Sequence, residues 1–139
     1  MRALEIVGER WTLLVLREAF YGVRRFDLML ENVGCARNLL ADRLATLVAH
    51  GVLAKTPYVD QGQRERFEYR LTEKGLALFP VIVSLMDWGD QWLRGEPPVR
   101  VLHRECGAAV HAELRCTEGH LVPSARQTEP RFTARRARA

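Results

Sequence analysis

Groups that do covalent chemistry are scarce in this chain of 139 residues. Only two serines occur, Ser84 inside an apolar stretch and Ser124 near the end, and neither stands in the strand-turn-helix context of a nucleophile elbow. A phosphate-cradling glycine loop and a His-Glu-x-x-His motif are both absent. Cys106 could pair with His103, but no third residue is placed to orient them. The expectation is a protein that is not an enzyme. Long hydrophobic runs are missing as well: 47% of the residues are hydrophobic, yet no run approaches the roughly 20 needed to cross a bilayer. The opening Met1-Arg2-Ala3-Leu4-Glu5-Ile6-Val7, with Glu9 close behind, is not a secretory signal, which predicts a cytoplasmic protein with no membrane partner. The first helix already includes Met1, so a trimmed or misassigned start is one reading of the N-terminus.

Charge is plentiful but uneven. The net charge is +4, and residues 126 to 139 account for all of it, with Arg126, Arg131, Arg135, Arg136 and Arg138 against Glu129. The remaining body is neutral overall, so any attraction to a polyanion has to come from local placement. Residues 24 to 53 supply one. Two apolar-periodic segments flank a break at Asn32-Val33-Gly34. In the second segment Leu40, Leu44, Leu47 and Val48 recur at helical spacing and are bound for a core, leaving Arg37, Asn38, Ala41, Asp42 and Arg43 outside. That is the layout of a helix-turn-helix, whose second helix presents its N-terminal side chains to the major groove. Arg37 and Asn38 stand at that end, and both side chains can make bidentate contacts to base edges.

Gly51 closes the second helix, and two short runs rich in β-formers follow. Val52 to Tyr58 and Arg66 to Leu71 are joined by the polar loop Asp60-Gln61-Gly62-Gln63-Arg64-Glu65, which reads as a β-hairpin. Directly after a recognition helix, such a hairpin is a wing. The predicted fold is mainly α with a small β-hairpin: a winged helix-turn-helix with a three-helix core, a wing and an extra helix for dimerisation. Candidate DNA-binding residues are Arg24, Arg25, Arg37, Asn38, Ala41, Asp42, Arg43, Gln63, Arg64 and Arg66.

Thr72 is a good N-cap for the next segment, and Pro80 lies too far in to be its first residue, which predicts a break near Leu78-Phe79 and a fresh helix from Pro80. That helix is apolar on more than one face, so its own core covers one side and a partner subunit is expected to cover the other. The candidate dimer interface is Leu4, Ile6, Ile82, Val83, Leu85, Met86, Trp88 and Trp92. Trp11, Trp88 and Trp92 could instead line an effector pocket; they are read here as core and interface aromatics. Nothing in the sequence names an effector.

GERWTLLVLREAFYG at 8 to 22, RRFDLML at 24 to 30, LLADRLATLVAHGVL at 39 to 53 and FEYRLTEKGLALFPVIVSLMDWG at 67 to 89 appear in order and resemble HxlR-type winged helix-turn-helix transcription regulators. The resemblance covers roughly residues 1 to 93. It implies a homodimeric bacterial or archaeal protein that binds double-stranded DNA, with the N-terminal helix and the helix after the wing forming the dimer interface. Where such proteins sense redox they use a cysteine before the first helix, and this chain has no residue there. A winged-helix module for protein contacts is the main competing reading, and its discriminator is binding to the duplex upstream of its own or the neighbouring gene. A second alternative is a redox- or metal-responsive regulator.

The cysteines bear on that alternative. Cys35 precedes the recognition helix, where a thiolate would be stabilised by the helix N-terminus and Arg37, but the position reads as buried and inert. Beyond Gly95-Glu96-Pro97-Pro98 come His103-x-x-Cys106-Gly107 and Cys116-x-x-Gly119-His120. The stretch resembles a small zinc-ribbon tail, with Gly119 where a cysteine is expected. His103, Cys106, Cys116 and His120 could hold zinc tetrahedrally, and a metal-free hairpin is the preferred reading. A disulfide between Cys106 and Cys116 is disfavoured in a reducing compartment. The expected organisation is a DNA-binding and dimerisation domain at 1 to 95, a Cys/His extension at 96 to 122 and a basic, disordered tail at 123 to 139.

Overall fold

A computed structural model describes residues 2 to 62 and 64 to 131. The chain divides into two units, Met1–Gly95 and Glu96–Ala139. In the first the order is α1 (Ala3–Val7), α2 (Arg10–Phe20), α3 (Phe26–Val33), α4 (Arg37–Ala49), β1 (Leu53–Tyr58), β2 (Arg66–Leu71), α5 (Glu73–Leu76) and α6 (Phe79–Trp92). The strands pair antiparallel, from Leu53 opposite Leu71 to Tyr58 opposite Arg66.

The helical periodicity of the sequence explains the core. Val15, Leu16 and Ala19 of α2, Met29 and Val33 of α3, and Leu40, Leu44 and Leu47 of α4 converge with Val52, Leu53 and Ile82. The α3–α4 turn is made by Gly34, whose φ of 69° is left-handed and whose N–H donates to the Leu30 carbonyl, ending α3 where the sequence breaks. Buried among these elements is one charged side chain. Glu18, 4% exposed, accepts from Arg17 Nη2 at 2.7 Å and from Asn32 Nδ2 at 2.8 Å, tying α2 to the last turn of α3. Both its oxygens are paired, which is what makes a buried carboxylate tolerable.

The segment after the wing is locked onto the end of α4. Thr72 Oγ1 caps α5 by accepting from Gly75 N at 3.1 Å, and it donates to the Gly51 carbonyl at 2.6 Å. Lys74 Nζ donates to the His50 carbonyl at 2.7 Å. Gly75 is buried so tightly that a Cβ there would lie 2.2 Å from the Val52 carbonyl oxygen and 2.9 Å from Leu71 Cδ2. Gly75→Ala is therefore expected to cost about 1 to 3 kcal/mol through overpacking, read by urea unfolding. A loss below about 0.5 kcal/mol would mean that α5 shifts without penalty. The break before Pro80 is present: α5 ends at Leu76 and α6 begins at Phe79 with the proline in its first turn.

The interface expected on α6 needs correction. Ile82 and Val83 are 5% and 3% exposed in the single chain, so neither is an outward position. Ile6 and Met86 are half-buried against the chain's own core. Leu4, Leu85, Trp88 and Trp92 do stand out, at 56%, 51%, 58% and 66% exposure, and Val81 joins them at 45%. Val81, Leu85, Trp88 and Trp92 are spaced four, three and four residues apart, which puts them in one stripe along α6.

In the second unit two short turns are each closed by one antiparallel bridge, Leu102 with Ala109 and Arg115 with Leu121. Ala125–Gln127 forms a 3-10 turn inside the tail expected to be disordered, capped by Ser124 Oγ accepting from Arg126 N at 3.2 Å. Arg135, Arg136 and Arg138 lie outside the described residues.

Candidate nucleic-acid interface

Helix α4 carries its buried leucines on one side and Asn38, Ala41, Asp42 and Ala45 exposed on the other. Residues 38, 42 and 45 follow the four- and three-residue steps of one helical face, so these side chains form a row that a partner can read. Small alanines at 41 and 45 let a partner approach closely. The sequence also pointed to Ala41, whereas Ala45, one turn further on, was missed although the same spacing reaches it.

Arg37 opens α4. Its Nη2 lies 3.0 Å from Asp27 Oδ1, and its guanidinium lies over the Phe26 ring at 5.1 Å. Arg25 has the same kind of setting, 3.1 Å from Asp60 Oδ1 and 4.6 Å over the Tyr58 ring. Both ion pairs are exposed, 68% and 69% for the Arg37–Asp27 side chains, so each is worth about 0 to 1 kcal/mol and exchanges readily for another anion. Arg24 and Arg25 are placed by the wing edge: Tyr69 N donates to the Arg24 carbonyl at 2.8 Å, and Arg25 bridges Glu68. Arg64 and Arg66 are exposed at the far end of the hairpin. Gln63 lies outside the described residues.

Arg43 stands apart from the other residues expected at DNA. It pairs with Glu9 at the start of α2, its side chain is 24% exposed, and its Nε is buried with no hydrogen-bond partner among the described residues. At about 100° per residue it stands about 140° round the helix from Asn38, next to the core side. Glu9 then draws the guanidinium inward, away from the row at Asn38 and Asp42.

Between the N-terminal end of α3 and the hairpin runs a groove of about 740 Å³ that includes Arg25, Phe26, Arg37, Arg66 and Phe67. Tyr69 also lines it, and burial pushes its phenol above the usual 10.0, so the hydroxyl stays protonated at neutral pH. Of the tryptophans, Trp11 is half-buried against the core and Trp88 and Trp92 are exposed on α6. Cys35 is half-buried against the same core.

The four residues considered for zinc do not converge. Cys106 Sγ lies 3.3 Å from His103 Nδ1, and Cys116 Sγ lies 3.6 Å from His120 Nδ1, each pair inside its own turn. Among the described residues no group of three or more Cys, His, Asp or Glu side chains is placed to hold a metal. Each turn closes on its own bridge, and two ligands from one turn fall short of the four that structural zinc takes.

A three-helix core, a helix-turn-helix with its second helix exposed at the N-terminal end, and a hairpin directly behind it define a winged helix-turn-helix. The model of the HxlR-like helix-turn-helix matches residues 6–97, and the chain belongs to that family of transcription regulators. It is 50% identical over 131 residues to an uncharacterized HTH-type transcriptional regulator of Mycobacterium tuberculosis (strain ATCC 25618 / H37Rv), covering 93% of this chain and 82% of that protein. Among solved structures it is similar to PA1607, a candidate transcription factor, with a TM-score of 0.80 and 37% identity over 94% of this chain and 91% of that one. The reduced form of the transcriptional regulator YodB from B. subtilis matches with a TM-score of 0.56 and 28% identity, over 67% of this chain and 90% of YodB. No helix among the described residues is long and apolar enough to cross a membrane.

Proposed function

We propose that the protein is a homodimer that occupies an inverted-repeat operator, laying the N-terminal half of α4 in the major groove and the hairpin tip beside the phosphates. The observation that carries this reading is the exposed row Asn38, Ala41, Asp42 and Ala45, with Arg25 and Arg37 near its start and Arg64 and Arg66 on the hairpin. Asn38 supplies a bidentate partner for adenine, Arg37 one for guanine or a phosphate, and the other arginines neutralise backbone charge. The exposed stripe on α6, with Leu4, supplies the surface between subunits. Regulation then follows from occupying a promoter or positioning polymerase. The reading needs no catalytic group and no cofactor, and it places the protein in the cytoplasm with its DNA.

A footprint on the intergenic DNA beside the gene tests it directly. Arg37→Ala or Asn38→Ala is expected to weaken specific binding by about 1 to 3 kcal/mol per lost bidentate contact while changing non-specific binding less. Equal losses on operator and random duplex would restrict these side chains to phosphate. Arg64→Ala is expected to lower affinity on all sequences alike and to reduce the salt slope by about one unit. An unchanged slope would take the hairpin off the DNA, and no duplex binding at all would favour a module for protein contacts. For a redox-responsive variant of this reading Cys35 is poorly exposed, whereas Cys106 and Cys116 are open to solvent.

A further inference from the structure

We propose that the groove between α3 and the hairpin is a binding site for a planar aromatic carboxylate, and that its occupation excludes DNA. The first half stands on the groove alone; the second rests on the DNA reading above.

The groove's lining is mixed, with exposed aromatic and aliphatic faces set between its charged side chains. Phe67 is 41% exposed and Leu28 47% exposed, and both line it together with the rings of Phe26, Tyr58 and Tyr69. Duplex phosphates and sugars are met by cations and hydrogen-bond donors, and bases stacked inside a duplex offer no free ring face to such a surface. A volume of about 740 Å³ lies within the range of small-molecule sites, and apolar walls with a few fixed polar groups are their usual lining.

The polar groups select the ligand's charge. Arg25, Arg37 and Arg66 line the groove beside Asp27 and Glu31, with Asp60 paired to Arg25 and Lys55 Nζ 4.2 Å over the Phe67 ring, four cations to three carboxylates. Two of these guanidiniums already hold a carboxylate while lying over a ring: Arg25 with Asp60 over Tyr58, and Arg37 with Asp27 over Phe26. A ligand carboxylate needs only to take the place of one of these exposed aspartates. Arg66 faces Tyr58 across the hairpin and supplies a third cation at the same end. Cations beside aromatic walls match a flat ring bearing one acidic group better than a neutral ring or an aliphatic acid.

Arg25, Arg37 and Arg66 cannot pair with the ligand and with DNA at once, so the two should compete. The apparent Kd of the duplex then rises by the factor 1 + [L]/Kd of the ligand, about tenfold at about nine times that Kd.

The test uses the full chain and 2-naphthoate, with 2-naphthamide and cyclohexanecarboxylate as controls, titrated calorimetrically without DNA. Saturable binding at one site per chain, about tenfold or more tighter than either control, is expected, with a loss of about tenfold in Phe67→Ala and in Arg66→Gln. Thermal melts of both variants check that they are folded; Leu28→Asn, at a second exposed position, is expected to weaken binding in the same way. Equal binding of acid and amide, no saturation up to about 10 mM, or unchanged affinity in all three variants would overturn the site. Labelled duplex is then titrated with and without naphthoate. A rise in duplex Kd that Phe67→Ala abolishes supports exclusion; naphthoate binding with no rise overturns exclusion. A protein that binds naphthoate but no duplex overturns the DNA reading instead, so the two failures are distinct.

Discussion

Glutamates at Leu85 and Trp88 together are expected to give a folded monomer whose operator affinity is lower by about 10² to 10⁴-fold. Both side chains stand in the middle of the α6 stripe and are more than half exposed in the single chain, so charging them costs little intrachain packing. Across a two-fold axis the same stripe meets its own copy, and four carboxylates would then share a desolvated seam. The loss arises because two half-sites no longer bind as one unit. Sedimentation equilibrium should fall to the chain mass of 15.9 kDa, with a melting curve close to that of the unmodified protein. An unmodified protein that already sediments as a monomer and still binds its operator tightly would defeat the dimer. Val83 is the contrasting site: at 3% exposure, a glutamate there is expected to unfold the domain rather than split a dimer.

Leu44→Ala should produce a large loss of stability, about 3 to 5 kcal/mol. The side chain is fully buried amid the core shared by α2, α3, α4 and β1, and its removal leaves a cavity that packed neighbours close only in part. Against a total of about 5 to 15 kcal/mol for a small domain, that loss lowers the melting temperature by more than about 12 °C. In urea the midpoint should fall with the slope unchanged. DNA contacts at low temperature should persist, since Leu44 lies opposite the row at Asn38 and Asp42. A loss under about 1 kcal/mol would mean that α4 is held by something other than its leucine face.

What was legible in the sequence was what one element says about itself. Period 3.6 in residues 37 to 49, the glycine at 34, the alternation in 66 to 71, the Thr72 cap and the Pro80 break each constrain a few consecutive residues, and each corresponds to an observed element. Legibility stopped where side chains choose among distant partners. Arg43 lies outward by a coarse reading of its helix, but Glu9, far back in the chain, draws it in. For α6 the sequence showed apolar residues all round, not which of them its own core would claim; Ile82 and Val83 went inward, Leu85 and Trp88 did not. The groove is assembled from residues 25 to 37, 58 and 66 to 69, three stretches with no common periodicity. The two Cys/His turns look like halves of one site in sequence, and only the structure shows each closing on itself.

The clamp around Thr72, Lys74 and Gly75 has a mechanical consequence. It fastens the stretch leading into α6 to His50, Gly51 and Val52, which directly follow α4, with no gap beside Gly75 to absorb play. Helix α4 has 13 residues and is therefore a lever of about 20 Å pivoted at that joint. A tilt of about 10° there would swing Arg37 through about 3 Å, close to the rise of one base pair. In the proposed dimer such a pivot without slack would hold two α4 helices at a fixed spacing, so that close packing at Gly75, far from any base, would bear on the half-site separation the dimer accepts.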